Sequence, residues 1–530
     1  MVSPAKLAGE FSAQHHEKKS PVNMKAGDFG TLDEIDTIEE TDSDKFVWLV
    51  SLTASLGGFL FGYDTGIISA VLIYLHADLG HELANREKEL VTSVMSGGAF
   101  LGAIAAGLTA DRYGRKGPIY MGCVLFIVGA VIQATAYTVS HMAVGRAVVG
   151  LGVGSAAMII PLYIAEISPA KFRGRMMGLD TLSVTGGQLA SYGLGAGFAH
   201  IAHGWRWMVG MGAGPAILLL CLLPICPESP RQLIHHKKLD EAAQVIQKVF
   251  PNATSDQVQQ KVRHIAFHVE TAKKLRDGKS NWWLFKQLFT VPANLRVTIA
   301  ACGVMSLSQF SGFNNLMYYS STLFAVIGFS NPVGVGSIIA AVNFLCTFLY
   351  FNIVDRFGRR QVLLSTVWGM GVSLGVAAAA FYYIPLTTDL SISADTKVGW
   401  PAYLVLVAMV SLVIFYGSGV GALSWVSSEF FPMEVRSLGT MVMTLSNWGP
   451  NIIISSTFLT QMEKTTPTGT FAFYGVVCIL GWVAIYCCYP EVKGMTLESI
   501  REVFEQGFGV QKAREIQTEM RRKSADRSNV

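Results

Sequence analysis

Two charged residues lie inside apolar stretches of the sequence. Asp64 lies within the apolar run from Phe46 to about Leu75, and Arg146 lies near the start of a later one. A charged side chain at membrane depth costs about 2.5–3.5 kcal/mol on insertion scales, so such residues face a bundle interior or a watery cavity. A guanidinium neighbour stabilises an ionised carboxylate, whereas burial stabilises the protonated form. A pair that makes and breaks contact could therefore load and release a proton; the alternative is a static pair that only fixes helix packing.

Polar side chains recur within other apolar runs. Thr181, Thr185 and Gln188 are spaced i, i+4 and i+7, so they share one face of a helix. Ser311-Gly312 predicts a break in another helix, and amide residues flank it. Polar groups and broken helices at mid-membrane are typical of transporter sites, although any single one can be an interhelical hydrogen bond or a packed aromatic ring. The candidate binding residues are Thr181, Gln188, Gln309, Asn314, Asn315, Asn343, Trp425 and Asn447, with Tyr318 and Tyr319 as candidate gate residues.

Charged residues in the short loops form a third group. Exposed ion pairs contribute only about 0–1 kcal/mol each, but a network across the inner mouth could bias one state of a transporter against another. The alternative is that these charges only mark the cytoplasmic side. The predicted latch consists of Asp111, Arg115, Glu166, Arg173, Glu228 and Arg231 in one half, and Asp355, Arg359, Glu429, Arg436 and Glu491 in or near the other.

The composition indicates the class of protein in which these residues lie. The chain has 530 residues, of which 51% are hydrophobic and 15% are charged, against about 25% charged in a soluble domain. It is therefore predicted to be a polytopic membrane protein. A net charge of +4 gives no sign of nucleic-acid binding. No metal-ligand, nucleotide or nucleophile pattern is found, and most of the eight cysteines lie in apolar runs, where they are predicted to be small core residues.

Twelve apolar runs are long enough to cross a membrane as helices. Lys and Arg gather in alternate short loops, which places those loops, the basic central segment and both termini on the cytoplasmic side. After the first run, the predicted spans are 90–110, 118–138, 142–166, 178–199, 206–226, 294–326, 333–354, 361–383, 401–430, 438–462 and 469–489.

The two halves of the chain repeat each other. The Asp-Arg-x-Gly-Arg loop at Asp111 recurs at Asp355, and Glu166…Arg173 recurs as Glu429…Arg436 with the same seven-residue spacing. Duplicated halves are typical of secondary transporters whose site lies between them. The predicted organisation is a disordered cytoplasmic tail over 1–45, six-helix halves over 46–226 and 294–489, cytoplasmic linker helices over 227–293, and a cytoplasmic tail over 490–530.

These motifs together resemble the sugar porter family of the major facilitator superfamily. The resemblance covers about 45–500 and includes Gly107-x-x-x-Asp111-Arg112-x-Gly114-Arg115-Lys116, Pro227-Glu228-Ser229-Pro230-Arg231, Gln309-Phe310-Ser311-Gly312-Phe313-Asn314 and Pro490-Glu491-x-Lys493-Gly494. Within the family, the chain is most similar to fungal myo-inositol/proton symporters, through Phe61-Gly62-Tyr63-Asp64-Thr65-Gly66, Thr185-Gly186-Gly187-Gln188-Leu189 and Pro467-Thr468-Gly469-Thr470-Phe471.

The resemblance implies an all-α fold of twelve membrane helices in two pseudo-symmetric halves. It implies a secondary transporter, not an enzyme, with the proton as coupling ion, no cofactor, and a small polyol or sugar as substrate. The implied location is the plasma membrane. Asp64 occupies the position at which proton-coupled members carry Asp, and Gln188, Gln309, Asn314, Asn343, Trp425 and Asn447 match sugar-contacting positions.

Three residues depart from the family pattern. Ser308 precedes Gln309 where a second glutamine is usual, Thr181 stands where many members have Gln, and Ser424 replaces the usual Pro before Trp425. Myo-inositol is therefore the first expectation for the substrate, and a hexose or another sugar is the alternative. A facilitator and a non-transporting nutrient sensor are the remaining hypotheses.

Overall fold

The computed structural model describes residues 45–169, 172–276, 279–384, 399–432, 435–493, 502–505 and 507–518, together with Ile38 and Met495. Within these residues the chain is helical, with no β-strand. The predicted terminal segment 1–45 lies almost wholly outside the described residues, whereas about half of the segment 490–530 is described, and Val503, Phe504 and Ala513 within it are buried. The all-α prediction is confirmed.

The first half contains seven helices. The fifth, α5, packs mainly against the first, α1. The bounds are α1 Lys45–Tyr74, α2 Asn85–Tyr113, α3 Lys116–Ala134, α4 Val139–Ile167, α5 Arg173–Phe198, α6 Gly204–Gly210 and α7 Ala213–Leu222.

Four linker helices follow, and then the second half. The linker segment over 227–293, which was predicted to be helical, contains helices at Leu239–Val249 and Ser255–Arg276. The linker helices are α8 Pro230–His235, α9 Leu239–Val249, α10 Ser255–Arg276 and α11 Asn281–Thr290. The second half comprises α12 Pro292–Phe310, α13 Phe313–Ile327, α14 Pro332–Phe357, α15 Arg359–Tyr382, α16 Trp400–Gly417, α17 Val420–Val426, α18 Arg436–Ser455 and α19 Phe458–Cys488.

Nine spans in the described part of the chain are long and apolar enough to cross a membrane, and a tenth is formed if the bent unit of α11 with α12 and α13 is counted. Helices α5 and α18 are 26 and 20 residues long but lack a sufficiently apolar stretch. Their polar residues include Gln188 and Asn447, which are buried inside the protein. With these two helices, the structure agrees with the twelve predicted spans.

Several predicted bounds are wrong at glycine and proline residues. The predicted span 294–326 is broken at Gly312, whose φ of 77° lies in the left-handed region, as Ser311-Gly312 predicts. The predicted span 401–430 is also broken, at Gly419 between α16 and α17. The predicted 438–462 ends early, because α18 stops at Ser455 and α19 begins at Phe458, with a kink at Thr466 before Pro467.

Three glycines at four-residue spacing bring α1 against α5. A Cβ at Gly62 would collide with the carbonyl oxygen of Val184, and one at Gly66 would collide with Ser191 Oγ. A Cβ at Gly58 would lie 2.5 Å from Asp180 Oδ1. The missing side chains therefore allow the two backbones to approach closely, as small residues do in membrane helix pairs.

Each half carries the same carboxylate cap. Glu228 accepts hydrogen bonds from the backbone N–H groups of Arg115 (3.0 Å) and Lys116 (3.2 Å), at the start of α3. Glu491 does the same for Arg359 (3.1 Å) and Arg360 (2.9 Å), at the start of α15. A carboxylate there satisfies unpaired donors and complements the helix dipole. The repeated geometry supports duplicated halves.

Residues from both halves meet at the end of the bundle where α1 finishes, here called the closed end. Ser69 Oγ on α1 donates to Ser321 Oγ on α13 (2.9 Å). Glu89 on α2 accepts hydrogen bonds from the N–H and hydroxyl of Thr460 on α19, both at 2.7 Å. The opposite end, which carries α8 to α11, is here called the linker end.

Asp78, in the loop after α1, gives a pH-dependent contribution to stability. His203 Nδ1 and Trp205 Nε1 donate to its Oδ2 at 2.7 and 2.6 Å, and these bonds hold the pKa of Asp78 below its usual value. Because the folded-state pKa is lower than the unfolded one, this contribution is complete above about pH 4. It is lost as the pH falls through the lowered value.

Asp78→Asn is therefore expected to destabilise the protein at pH 7 by about 1 kcal/mol, as expected for partly exposed hydrogen bonds. The difference should vanish at a pH below the folded-state pKa of Asp78. Thermal unfolding in detergent across this pH range measures the effect, with Asp240→Asn on the exposed face of α9 as the control. Equal melting temperatures of wild type and Asp78→Asn at pH 7 would contradict the prediction.

Candidate functional site

Asp64 and Arg146 form a buried ion pair. Arg146 Nη1 lies 2.7 Å from Asp64 Oδ1, and the side chain of Arg146 is 1% exposed and that of Asp64 is 6% exposed. Arg146 Nε also donates to the carbonyl oxygen of Val91 on α2 at 3.1 Å. Asp64 Oδ2 and Arg146 Nη2 have no hydrogen-bond partner among the described residues. The contact thus uses one oxygen of the carboxylate and leaves the other able to bind a proton.

A cavity of about 830 Å³, counted with the open space at its mouth, lies between the two halves. Its walls come from α1, α4 and α5 of the first half and from α12 to α14 and α16 to α18 of the second. It extends from mid-bundle towards the linker end. Seven of the predicted binding residues line it: Thr181, Gln188, Gln309, Asn314, Asn343, Trp425 and Asn447.

Gln309 is the centre of an amide network at the cavity. Its Nε2 donates to Asn447 Oδ1 at 2.5 Å, and its Oε1 accepts from Asn314 Nδ2 at 2.5 Å. Asn451 Nδ2 also donates to Gln309 Oε1, at 2.8 Å. The break at Gly312 allows Gln309 and Asn314 to face each other across the end of α12. Side-chain amides both donate and accept, so they suit a ligand with several hydroxyl groups.

The other amide pair joins the two halves. Asn343 Nδ2 on α14 donates to Gln188 Oε1 on α5 at 2.8 Å. Two aromatic rings, Phe313 and Tyr416, stack beside the cavity with centroids 3.6 Å apart. The cavity therefore offers polar amides together with aromatic faces, the combination that a ring with hydroxyl and C–H surfaces requires.

The amide network also reaches towards the ion pair. Asn451 Oδ1 accepts hydrogen bonds from Ser96 Oγ on α2 (2.6 Å) and from the Tyr318 hydroxyl on α13 (3.3 Å). Tyr318 lies within electrostatic range of Asp64 and Arg146. Asn451 and Tyr318 thus connect Gln309 at the cavity with the surroundings of the charged pair.

The predicted gate tyrosines lie beyond the cavity, near the closed end. Both are fully buried, and the Tyr319 hydroxyl donates to the carbonyl oxygen of Ser455 at 2.8 Å. Tyr319 also stacks on Phe458, with centroids 5.6 Å apart. Their burial between halves fits a closed barrier, and their movement stays a prediction.

Asn315 does not belong with the predicted binding residues. It is fully buried outside the cavity lining, and its Nδ2 donates to the Tyr474 hydroxyl at 3.0 Å. The reason is helical geometry, because Asn315 projects from α13 about 100° away from Asn314. Its contact joins α13 to α19 within the second half.

The described latch contacts lie within each half. Arg115 contacts Glu166 through two bonds, at 2.8 and 3.1 Å, and Glu228 and Glu491 cap helices of their own halves. Arg231 lies within electrostatic range of Glu166. The Arg436 Nε donates to the carbonyl oxygen of Phe431 at 3.2 Å. A cross-half latch stays a prediction, since the side chains of Asp111, Arg173, Asp355 and Glu429 lie outside the described residues.

Three residues at the site were not predicted from the sequence. Asn451 follows Asn447 by four residues and so shares its helix face, a signal that could have identified it. Asp180 is an ionisable residue inside a predicted span, the criterion that selected Asp64. Ser96 has no such signal, because serine is common in membrane helices and its bond to Asn451 depends on the packing of α2 against α18.

Comparison with known proteins gives a consistent picture. Residues 50–504 match the family described as sugar (and other) transporter. The chain is 40% identical to Myo-inositol transporter 1 of Cryptococcus neoformans var. grubii, over 89% of this chain and 83% of that protein. It is 36% identical to Myo-inositol transporter 1 of Saccharomyces cerevisiae, over 89% of this chain and 81% of that one.

Among solved structures, the chain is similar to XylE, the proton:xylose symporter of the major facilitator superfamily, bound to 6-bromo-6-deoxy-D-glucose. The TM-score is 0.74 at 25% identity, covering 88% of this chain and 100% of that one. The inward open conformation of XylE from E. coli gives a TM-score of 0.68 at 26% identity, over 87% of this chain and 100% of that one.

Proposed function

Since the chain belongs to the sugar (and other) transporter family, we propose that it is a secondary active transporter that imports myo-inositol together with a proton by alternating access. Its family and named relatives are transporters, and it is a multi-pass membrane protein. The plasma membrane is the proposed location, with both termini in the cytoplasm and the linker end facing it.

The observation that carries this proposal is the cavity between the halves, with amides from both. Gln188 and Asn343 approach from opposite halves, and Gln309 and Asn447 line the same cavity from the second half. A polyol bound there would join the two halves through its hydroxyl groups, so its binding could favour the movement that carries it across. The names of the fungal relatives support myo-inositol as that polyol.

Proton coupling is supported by the buried pair of Asp64 and Arg146. In the alternating-access cycle, contact with Arg146 favours the ionised carboxylate and separation favours the protonated one. The link from Gln309 through Asn451 to Tyr318 provides a physical connection by which occupancy of the cavity could affect that contact. XylE, to which the fold is similar, is itself a proton:xylose symporter.

A proton-coupled hexose porter is the alternative. The residues that depart from the family pattern, Ser308, Thr181 and Ser424, all line the cavity, where they affect the shape and hydrogen bonding available to the ligand. XylE was solved with a substituted glucose. Glucose would compete strongly with labelled inositol in a hexose porter and weakly in the proposed transporter.

The test is uptake of labelled myo-inositol in cells that lack inositol transport, measured from pH 5 to pH 8 with and without a protonophore. Uptake that rises as the external pH falls and collapses with the protonophore supports proton symport. Uptake that is indifferent to both would reduce the proposal to a facilitator. Absence of inositol uptake, with glucose uptake present, would favour the alternative.

Gln309→Ala is expected to raise the KM for myo-inositol by at least about tenfold. The substitution removes a direct contact and also deprives Asn314, Asn447 and Asn451 of their shared partner, and buried polar groups left unpaired cost about 1–3 kcal/mol. Initial uptake rates over a range of concentrations measure the change. Gln309→Glu, which keeps the size of the side chain, tests whether the donor to Asn447 is required. An unchanged KM in Gln309→Ala would contradict the proposed binding site.

A further inference from the structure

Asp180 is an acidic residue at the cavity that neither the proton pair nor the amide network uses. It lies on α5, one residue before Thr181 and two turns before Gln188. Among the described residues that line the cavity, it is the only acidic or basic one. Every other polar group of the lining is an amide, a hydroxyl or an indole N–H.

Among the described residues, no cation forms an ion pair with Asp180. Its Oδ1 is buried and makes no hydrogen bond to any described residue, and the residue as a whole is only partly buried. The side chain fits beside α1 because Gly58 lacks a Cβ, which would come within 2.5 Å of Oδ1. The glycine therefore provides space for a carboxylate that opens onto the cavity.

The buried oxygen, Oδ1, is costly to leave unpaired, because burial removes water from it and the described residues supply no cation or donor in its place. Asp64, by contrast, has an ion pair with Arg146. An ionisable group inside a membrane protein normally has a partner. For Asp180, the cavity is the side from which a partner can approach.

The hydrogen-bond acceptors around the cavity are unevenly occupied. Gln188 Oε1 already accepts from Asn343, Gln309 Oε1 accepts from Asn314 and Asn451, and Asn447 Oδ1 accepts from Gln309. Asn343 Oδ1 and Asp180 Oδ1 have no donor among the described residues. A ligand hydroxyl must donate its hydrogen, so these two groups are the acceptors best placed to receive it.

We propose that Asp180 determines which substrates the cavity accepts, by receiving a hydrogen bond from a substrate hydroxyl and by selecting against negative charge. This inference rests on the proposed transport function. The cavity then binds neutral polyols. It binds analogues in which an ammonium group replaces the facing hydroxyl more tightly, and it rejects analogues that carry a carboxylate. An ammonium group adds the attraction between opposite charges to the hydrogen bond that a hydroxyl also makes, so the ammonium analogue is expected to gain about tenfold in affinity.

The test is competition against labelled myo-inositol by three probes: unlabelled myo-inositol, a set of aminodeoxy-inositols that differ in the substituted position, and glucuronate. In the wild type, at least one aminodeoxy-inositol should compete at about one-tenth of the concentration required for myo-inositol, and glucuronate should not compete. In Asp180→Asn, which keeps the shape but loses the charge, that advantage should disappear and glucuronate should begin to compete. Asp240→Asn, on the linker helix α9, is the matched control and should behave as wild type.

The outcomes are distinguishable. Failure of the wild type to take up myo-inositol would refute the proposed function, whereas uptake with the same competitor order in wild type and Asp180→Asn would overturn only the role of Asp180. A variant whose pH profile shifts while its competitor order stays the same would also overturn it, because Asp180 would then carry a proton. If Asp180→Asn does not reach the membrane, the wild-type panel decides: no preference for any aminodeoxy-inositol over glucuronate refutes the inference.

Discussion

Asp64→Asn is expected to abolish accumulation of myo-inositol against its gradient. Asparagine can still accept a hydrogen bond from Arg146, but it cannot bind and release a proton, so the substrate loses its coupling to the proton gradient. For one proton per substrate, each unit of pH difference supports about a tenfold concentration ratio. A gradient of two units would therefore sustain about a hundredfold accumulation in the wild type, and the variant should reach a ratio of about one.

Accumulation is measured in proteoliposomes with an imposed pH gradient, and exchange of labelled for unlabelled inositol is measured without one. Exchange requires no net proton movement, so it should persist in Asp64→Asn at a reduced rate and show that the protein is folded. Breaking a buried pair can cost about 3–5 kcal/mol, so Asp64→Glu, which keeps the carboxylate, is the second variant and should retain pH dependence. Proton-driven accumulation by Asp64→Asn would refute the role of Asp64.

Gly62→Ala is expected to prevent assembly of the first half. Its Cβ would overlap the carbonyl oxygen of Val184, which is part of the α5 backbone and cannot rotate away like a side chain. The two helices would have to separate, which would also disturb Gly58 beside Asp180 and Gly66 beside Ser191. Overpacking of a well-packed interior typically costs about 1–3 kcal/mol, and a backbone clash lies at or above the upper end.

Gly193→Ala is the matched control on the facing helix. A Cβ at Gly193 meets no atom within 4 Å, and alanine favours the helix by about 1 kcal/mol over glycine. The amount of monodisperse protein after detergent extraction, and its melting temperature, measure both variants. Gly62→Ala should lose most of the folded protein while Gly193→Ala matches wild type. Equal yields and melting temperatures would show that α1 and α5 do not pack as described.

The sequence predicted the twelve membrane spans and their approximate positions, because apolar length is a local property of the chain. The four-residue spacing of Gly58, Gly62 and Gly66 also predicts close packing against another helix. The identity of that helix as α5 could not be predicted, since it depends on how distant segments pack. Helices α5 and α18 show a second limit of prediction from sequence. The polar residues that line the cavity also weaken the hydropathy signal of the helices that carry them.

The sequence predicted which residues belong to the candidate site more reliably than it predicted the contacts between them. Gln309 was selected as a single polar residue, but its function as the shared partner of three amides depends on the break at Gly312 and on α18. Asp64 and Arg146 were expected to approach each other, and they lie 2.7 Å apart. Asn315 could not be separated from Asn314 on sequence grounds, because adjacent amides at a helix start look equivalent until the helix phase is known.

The two carboxylate caps, Glu228 and Glu491, bear on how such a protein can move at low energetic cost. Each holds its donors inside one half, so tilting the halves against each other leaves both caps intact. The halves can therefore rotate as pre-assembled blocks, without exposing a bare helix start in any state. The work of each transport cycle then falls on the contacts that span the midline, where one small molecule and one proton are enough to tip the balance.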